Sequence, residues 1–303
     1  MIRRISHIEI DKRLWDNCIK NSFNETIYPY SEFLDIVSPG WDGLVLNNYE
    51  AVFPLTHKKK MGINYLVQPA NSQQLGLFSS ITLSNKIIEE FFKKVSEHYS
   101  YINIQINSFH KEKIPDLIYT ERKNYELPLN QSYEDLFSGF SNNHKRNIKK
   151  AKEAGAQIEK DLSIDKLIAL YKETRGKEMK HSKADYQTLE KLINSFLSNK
   201  SAEIMSVNLP KIGFCAGAVF VRSCKRSVFL FSATGIEAKK NGAMHFLIDN
   251  YIRNNSKEDI ILDFEGSNQE SLARFYAGFG ANCTEYYKLS KNKLPGFLKL
   301  IKK

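Results

Sequence analysis

The stretch from Val228 to Tyr287 constrains the fold most, because three strand patterns alternate there with two amphipathic helices. Strands are predicted over residues 228–233 and 260–264, and a third strand follows the second helix. Neither helix can bury its apolar face alone, so this β-α-β-α-β run requires a sheet on which the helices pack. The sequence therefore predicts an α/β fold.

The first helix of this run is predicted to begin near Asn241. Its apolar residues recur at i, i+3, i+4 and i+7, which gives one stripe at helical period: Met244, Leu247, Ile248 and Tyr251. Free backbone N–H groups and the positive end of the helix dipole lie at its start, where they favour an anion. Lys239 and Lys240 also lie at the start of this helix, and Gly242 would let a ligand approach the backbone closely. An anion-binding site is therefore predicted at Lys239, Lys240, Asn241, Gly242 and Ala243.

The second helix of the run has clear start and stop signals. Residues Ser267 to Glu270 have the pattern of a capping box, and Gly280 is expected to end the helix. Its predicted buried residues are Leu272, Phe275, Tyr276 and Phe279.

Two motifs in this run resemble the GNAT acyltransferases, which are acyl-CoA N-acyltransferases. Residues 239–242 (KKNG) resemble the pyrophosphate loop of that superfamily, and residues 275–281 (FYAGFGA) are similar to one of its helix ends. The loop pattern of the superfamily is Q/R-x-x-G-x-G/A, and this chain departs from it at Lys239 and Met244. The resemblance implies that a phosphate-bearing donor, acyl-CoA, binds at the loop.

The wider pattern is similar to the FemAB and CelD-type (cellulose-biosynthesis-type) acyltransferases. Residues 143–151 (NHKRNIKKA), Gly155 and residues 263–267 (DFEGS) carry this resemblance, which spans most of residues 40–290. It implies two GNAT-like domains in one chain, each a mixed, mostly antiparallel sheet flanked by helices.

The length of 303 residues also favours two domains. We expect an N-terminal GNAT-like domain over residues 1–124 and a C-terminal GNAT-like domain with the donor site over residues 125–303. A short basic helix is predicted at the end of the chain, over Lys291–Lys303.

The net charge of +10 is uneven along the chain. Residues 1–126 carry 15 basic and 15 acidic side chains, whereas residues 127–303 carry 29 and 19. A basic field of this size favours an anionic partner, such as a phosphate-bearing donor, a nucleotide-linked acceptor, RNA or a lipid headgroup. Ordinary solubilising lysines are the alternative interpretation.

Basic side chains dominate the helix predicted over residues 142–154. Like charges one turn apart repel each other, which disfavours a simple solvated face. A solvated surface helix remains the alternative. We expect substrate phosphates to bind Lys145 and Lys149, which lie one turn apart on one row, and Arg146 on the adjoining row.

Several classes of protein lose support from the sequence. No apolar run approaches the roughly 18 residues of a membrane-spanning helix, and the N-terminus lacks a signal-peptide pattern. The four cysteines form no CxxC pair and have no metal-like spacing to histidines, which indicates free thiols, no metal and a cytoplasmic location.

The sequence contains no GxSxG motif, no P-loop and no HExxH motif. Their absence favours direct transfer between an activated acyl group and an amine, and the candidate catalytic residues are chosen for that reaction. The GNAT resemblance implies that Tyr276 protonates the leaving thiolate, with simple packing as the alternative. Asp263 and Glu265, two residues apart on a strand, are predicted to point to one side, and either is a candidate base or a loop cap. His144 and His245 are predicted to make local hydrogen bonds.

These observations predict an acyltransferase that moves an acyl group, acetyl or another, from acyl-CoA to an amine acceptor. The FemAB resemblance leaves a second possibility, an aminoacyltransferase that uses aminoacyl-tRNA and a cell-wall precursor. A non-catalytic module that binds RNA or anionic lipid is the third.

Overall fold

The computed structural model describes residues 1–60, 62–108, 115–160, 162–176, 181–266 and 268–294. The chain divides into two compact units. Unit 1 comprises Met1–Lys123 and Glu285–Lys303, and unit 2 comprises Asn124–Thr284. The sequence had assigned residues 285–303 to the second domain, but the structure groups them with the first.

The described residues of unit 1 form two sheets and three α-helices. One sheet has the order β1-β2-β3-β6, and the other includes the order β4-β5-β7-β14, in which β5 and β7 are parallel. Strands β8 and β14 each contain a boundary between the units. The elements are β1 (Ile2–Ile5), α1 (Lys12–Asn21), α2 (Ser31–Val37), β2 (Asp42–Leu46), β3 (Ala51–Leu55), β4 (His57–Lys60), β5 (Ile63–Val67), β6 (Phe78–Ser79), α3 (Asn85–His98), β7 (Tyr101–Ile106), β8 (Ile118–Pro128) and β14 (Asn282–Asn292).

The end of the chain joins unit 1 through strand pairing. Residues Tyr287–Asn292 of β14 pair antiparallel with β7, so Lys291 lies in a strand and not in the predicted basic helix. The rest of that predicted helix, residues 295–303, lies outside the described residues. Sequence order could not reveal this pairing, because β7 and β14 are far apart along the chain.

Unit 2 contains a sheet with the order β8-β13-β12-β11-β10-β9. Strands β10, β11 and β12 form the antiparallel meander, and β12 pairs parallel with β13. The further elements are α4 (Tyr133–Ser138), α5 (Asn142–Glu153), β9 (Gln157–Glu159), α6 (Ile164–Tyr171), a π-helical turn (Lys172–Gly176), α7 (Lys183–Ser198), β10 (Ala202–Leu209), β11 (Gly213–Arg222), β12 (Arg226–Thr234), α8 (Ile236–Lys240), α9 (Ala243–Asn254), β13 (Ile261–Gly266) and α10 (Glu270–Ala277).

The two helices of the predicted β-α-β-α-β run are present, with different ends. Helix α9 begins at Ala243, after the separate short helix α8. Helix α10 begins at Glu270 and ends at Ala277 with Gly278 as its cap, two residues before the predicted stop at Gly280. The N-cap of α10 is Gln269, and Ser267 of the predicted capping box lies outside the described residues.

The unit boundaries also divide the charge differently from the sequence prediction. Unit 2 carries 23 basic and 19 acidic side chains, a net charge of +4, so the remaining 21 basic and 15 acidic side chains give unit 1 a net charge of +6. The excess is therefore shared between the units, because the lysine-rich segment after residue 285 belongs to unit 1.

Candidate active site

A cavity of about 550 Å³ lies in unit 2 where β12 and β13 separate. The two strands pair in parallel only from Arg226 with Ile261 to Val228 with Asp263. The residues that follow on each strand, 229–234 and 264–266, line the cavity. Leu230 has no pairing partner on β11, so β12 has a β-bulge at this residue. Bulges bend a strand and often occur next to active sites. The sheet thus opens a slot bordered by backbone amides and carbonyls.

The start of helix α9 forms one wall of this cavity through Gly242, Met244 and His245. Gly242 has φ +70°, and a Cβ there would lie 2.3 Å from the carbonyl oxygen of Asn147 in α5. Only glycine tolerates both the positive φ and the lack of space for a Cβ. The close approach that the sequence predicted at Gly242 is therefore between the start of α9 and helix α5. Lys239 also lines the cavity, and no carboxylate oxygen of the described residues lies within 4.0 Å of its ammonium group.

The other three residues of the predicted anion-binding site, Lys240, Asn241 and Ala243, do not line the cavity. The Lys240 ammonium group lies 2.8 Å from the Glu237 carboxylate in an exposed ion pair. The Asn241 side chain donates to the Glu237 carbonyl oxygen at 3.0 Å, and Ala243 is fully buried. Of the five predicted residues, Lys239 and Gly242 therefore line the cavity.

Tyr276 lies in the cavity wall on α10. Its ring stacks on Phe264 at a centroid distance of 5.0 Å and contacts Phe229 edge-on at 6.4 Å. Burial raises the pKa of the Tyr276 hydroxyl, and the Glu265 carboxylate raises it further. The hydroxyl is therefore protonated at neutral pH, and it has no hydrogen-bond partner among the described residues. A phenol in this state can donate a proton to a group in the cavity.

Glu265 reaches the cavity because the backbone turns at this residue. Its φ of +59° lies in the left-handed region, which is uncommon for a residue with a side chain and is found more often at functional sites. The Glu265 N–H donates to Asp263 Oδ1 at 2.9 Å, which stabilises the turn. The pairing of β13 with β8 is irregular at the same place.

Asp263 does not line the cavity and is 2% exposed. Its Oδ1 also accepts from Asn124 at 3.0 Å, and its Oδ2 accepts from the Arg226 guanidinium at 3.1 Å. The same guanidinium nitrogen lies 2.7 Å from Glu126. Burial raises the pKa of Asp263, and Arg226 opposes that effect. The predicted shared orientation of Asp263 and Glu265 therefore does not hold, and Asp263 acts as an internal anchor.

His144 makes one local hydrogen bond, as predicted from sequence, and one hydrogen bond to a residue that is distant along the chain. Its Nδ1 lies 2.9 Å from the Ser141 hydroxyl, and its Nε2 lies 2.8 Å from the Phe275 carbonyl oxygen. Its ring packs so tightly on Gly278 that a Cβ there would lie 2.0 Å away. His144 is thus a structural residue that joins α5 to α10.

His245 lines the cavity, and the sequence prediction missed it as a site residue. Its ring contacts His144 at 4.6 Å and Phe275 at 4.9 Å between centroids. Burial lowers the pKa of His245 to about 4, and His144 contributes to this shift. The imidazole is therefore neutral at physiological pH. Nothing in its local sequence distinguishes it from an ordinary helix residue.

Replacing His245 with glutamine is expected to reduce the sensitivity of the fold to acid. Because the pKa of His245 falls from 6.5 to about 4 on folding, the unfolded chain binds more protons between these values, and stability is lost as the pH falls through them. From pH 7 to pH 5 we expect the wild-type protein to lose up to about 2 kcal/mol more unfolding free energy than the variant. Urea unfolding at both pH values measures this difference. Equal losses would contradict a buried neutral imidazole.

Arg175 is a second cavity residue that the sequence prediction missed. It lies on the π-helical turn after α6, a type of turn that often occurs at functional sites. The turn is fastened by Thr174, whose hydroxyl donates to the Leu170 carbonyl oxygen at 2.8 Å. The Arg175 side chain is exposed at the rim, and no carboxylate oxygen of the described residues lies within 4.0 Å of it.

The basic helix α5 lies outside the cavity lining. The Lys145 ammonium group donates to the Ser138 carbonyl oxygen at 2.9 Å, and Lys149 lies 3.7 Å from Glu153. Arg146 makes a long contact of 3.4 Å with the Asn143 side chain. The positive charge of the helix is therefore partly compensated, because Lys149 forms an ion pair with Glu153 and Lys145 donates to the Ser138 carbonyl oxygen.

No group of three or more histidine, cysteine, aspartate or glutamate side chains among the described residues is arranged to hold a metal ion. None of the helices in that part of the chain has the length and apolar character needed to cross a membrane.

Comparison with solved structures identifies the fold. The structure is similar to that of FemX, with a TM-score of 0.69 and 12% identity over 99% of this chain and 100% of the FemX chain. L-PGS from Bacillus licheniformis is similar with a TM-score of 0.54 and 10% identity, over 96% and 95% of the two chains. A tandem GNAT protein from the clavulanic acid biosynthesis pathway is similar with a TM-score of 0.52 and 9% identity, over 98% and 100%.

The chain therefore has a GNAT-like fold of the FemAB type with tandem domains, which confirms the fold class expected from the sequence. No protein-family model matches the sequence, and no curated protein matches it.

Proposed function

We propose that unit 2 transfers an acyl group from an acyl-CoA thioester to an amine. The observation that carries the proposal is the presence of Tyr276 and Glu265 in one cavity, at the point where β12 and β13 separate. A protonated phenol and a carboxylate are the acid and base that direct acyl transfer requires. The free cysteines accord with a reducing cytoplasm as the location.

The donor would lie along the slot between the strands. Its diphosphate fits the start of α9, where backbone N–H groups, the helix dipole and the Lys239 ammonium group favour negative charge. The pantetheine arm carries amide groups, which can pair with the backbone of residues 229–234 as a further strand would. The thioester then reaches the aromatic wall formed by Phe229, Phe264 and Tyr276.

The side chains have complementary tasks in the transfer. Glu265 accepts a proton from the ammonium form of the acceptor, and the free amine attacks the thioester carbonyl carbon. As the tetrahedral intermediate collapses, the C–S bond breaks, the new C–N bond remains, and the nitrogen releases its second proton to solvent. Tyr276 donates its proton to the leaving thiolate, so that the products are an amide and a thiol, and solvent returns the proton from Glu265 to Tyr276.

An aminoacyl-tRNA donor is the second candidate, and the similarity to FemX over both full chains favours it. The FemAB resemblance implies such a donor with a cell-wall precursor as the acceptor. Under this alternative, the exposed basic face of α5, with Lys145, Arg146 and Lys149, would bind phosphates of the RNA. Tyr276 would then protonate a ribose oxygen.

Replacing Lys239 with glutamine is expected to weaken the binding of acetyl-CoA about tenfold, which corresponds to the loss of roughly 1.4 kcal/mol from one charged phosphate contact. Lys240→Gln is the matched control, because Lys240 is the next residue, is exposed and pairs with Glu237 outside the cavity. Its effect should be less than about twofold. Isothermal titration calorimetry measures both affinities.

A thermal-shift assay together with binding measurements separates the donor classes. A thermal shift with acetyl-CoA or longer acyl-CoAs supports the thioester donor. Binding of charged tRNA without any response to acyl-CoA would transfer the assignment to the second candidate. Binding of uncharged RNA or anionic vesicles alone, without transfer activity, would favour a non-catalytic module.

A further inference from the structure

The β-bulge at Leu230 places two phenylalanines of β12 on opposite faces of the sheet. Phe229 pairs with Phe220 of β11. Phe231 pairs with Val219, the residue before Phe220. Opposed residues of an antiparallel pair point to the same face, whereas consecutive residues of one strand point to opposite faces. Phe229 and Phe231 therefore face opposite sides of the sheet, although both line the cavity.

Ring contacts with the helices agree with this assignment. Phe220, which shares the face of Phe229, stacks on Tyr251 of α9 at a centroid distance of 3.6 Å. Phe231 contacts Tyr171 of α6 at a centroid distance of 4.9 Å. The cavity therefore extends through the gap between β12 and β13, from α9 and α10 on one face to α6 and the π-helical turn on the other.

The cavity wall on the α6 side is mainly apolar. The rings of Tyr171 and Phe231 are half-buried there, so each leaves part of its surface in the cavity. Burial raises the pKa of the Tyr171 hydroxyl, which is therefore uncharged at neutral pH. Thr174 also lines this side, but its hydroxyl already donates to the Leu170 carbonyl oxygen at 2.8 Å. The charged side chain of Arg175 is exposed at the rim.

We propose that the acceptor is a hydrophobic primary amine, which binds on the α6 side of the cavity with its apolar body against Tyr171 and Phe231. This inference rests on the proposed function, and it specifies the acceptor class and two residues that select it. The donor phosphates bind at Gly242 on the α9 side under that function. Donor and acceptor thus enter from opposite faces of the sheet and are bound together, as direct transfer requires.

The apolar wall favours this class of acceptor for two physical reasons. Rings that are half-exposed in a cavity lose contact with water when an apolar group covers them, which stabilises the complex. An apolar environment also disfavours the charged form of an amine and lowers its pKa. More of the bound acceptor is then the free amine that attacks the thioester. A small polar amine gains neither effect.

Electrostatic effects indicate that the two sides of the cavity lie close together. Burial and Glu265 raise the pKa of the Tyr276 hydroxyl on α10, and Arg175 lowers it from the opposite face. Burial and Tyr186 raise the pKa of Tyr171, and Arg175 lowers that pKa as well. One guanidinium therefore acts on hydroxyls of both faces. The amine of an acceptor bound at Tyr171 is thus a short distance from an acyl group beside Tyr276.

The test compares acyl transfer from acetyl-CoA to hexylamine, to phenethylamine and to 2-(2-aminoethoxy)ethanol, a polar amine of the same length as hexylamine. Thiol release reports transfer, and rates are compared at equal concentrations of free amine. The variants are Tyr171→Asn, Phe231→Asn and the conservative Tyr171→Phe. Tyr186→Asn is the matched control, because Tyr186 lies 6.3 Å from Tyr171 between ring centroids but does not line the cavity.

We expect the wild-type protein to acylate hexylamine or phenethylamine with kcat/KM on the order of 10²-fold above that of the polar amine, because several apolar groups leave water. Tyr171→Asn and Phe231→Asn should each reduce this ratio about tenfold or more. Tyr171→Phe and Tyr186→Asn should keep the ratio. Calorimetry should show an unchanged affinity of Tyr171→Asn for acetyl-CoA, which also establishes that this variant is folded.

The proposal is overturned if the polar amine reacts as well as the hydrophobic amines, or if both Asn variants at the wall keep the wild-type ratio. Loss of acetyl-CoA affinity in Tyr171→Asn would also overturn it, by assigning the α6 side to the donor. The proposed function fails separately if no acyl-CoA binds. In that case calorimetric binding of hexylamine, and its loss in Tyr171→Asn but not in Tyr186→Asn, still decides whether the amine site exists.

Discussion

Replacing Tyr276 with phenylalanine is expected to lower kcat on the order of 10²-fold or more. The substitution keeps the ring that stacks on Phe264 and removes only the hydroxyl. Donor affinity and melting temperature should hold, because the hydroxyl has no hydrogen-bond partner among the described residues to lose. Steady-state kinetics with saturating donor, together with calorimetric donor binding, separate the two effects.

The matched control is Tyr125→Phe. Tyr125 is a buried tyrosine whose ring lies 6.2 Å from that of Tyr276, but it does not line the cavity. The control should retain nearly full kcat. A Tyr276→Phe enzyme as fast as the parent would remove the tyrosine from the mechanism and leave positioning and charge stabilisation as the sources of catalysis.

Replacing Arg226 with methionine is expected to lower the free energy of unfolding by about 3–5 kcal/mol, because it leaves buried carboxylates without their cation. Arg226 contacts both Asp263 and Glu126, whose side chains are 3% and 18% exposed. Arg222→Met is the control, since Arg222 on the neighbouring strand pairs with Glu258 at the surface, where both side chains are at least 40% exposed. That change should cost no more than about 1 kcal/mol.

Chemical denaturation of the two variants measures this difference. The double variant Arg226→Met with Asp263→Asn should recover part of the loss, because the amide removes one of the unpaired charges. If Arg226→Met were no more destabilising than Arg222→Met, the cluster would not be the anchor of the Glu265 turn.

The elements around the site could be predicted from sequence because their signals are local. The strand over 228–233 lies within β12, and the apolar stripe of α9 is buried as its 3.6-residue period indicated. Tyr276 and Glu265 were among the candidates, and both line the cavity. Their catalytic roles remain predictions.

The parts that sequence reasoning missed depend on contacts between distant residues or on a break in a regular pattern. Alternation along a strand predicted that Asp263 and Glu265 share a side, but the left-handed backbone at Glu265 ends that alternation. Arg175 lines the cavity from a π-helical turn, and the cation that pairs with Asp263 lies on the neighbouring strand. No spacing rule relates these positions.

A crystal structure with an unreactive thioether analogue of acetyl-CoA would show whether the slot between β12 and β13 holds an acyl-CoA. We expect the pantetheine arm within hydrogen-bond distance of the backbone of residues 229–234, the diphosphate at Gly242 and Lys239, and the sulfur beside the Tyr276 hydroxyl. Analogue bound elsewhere, with this slot filled only by water, would contradict this expectation.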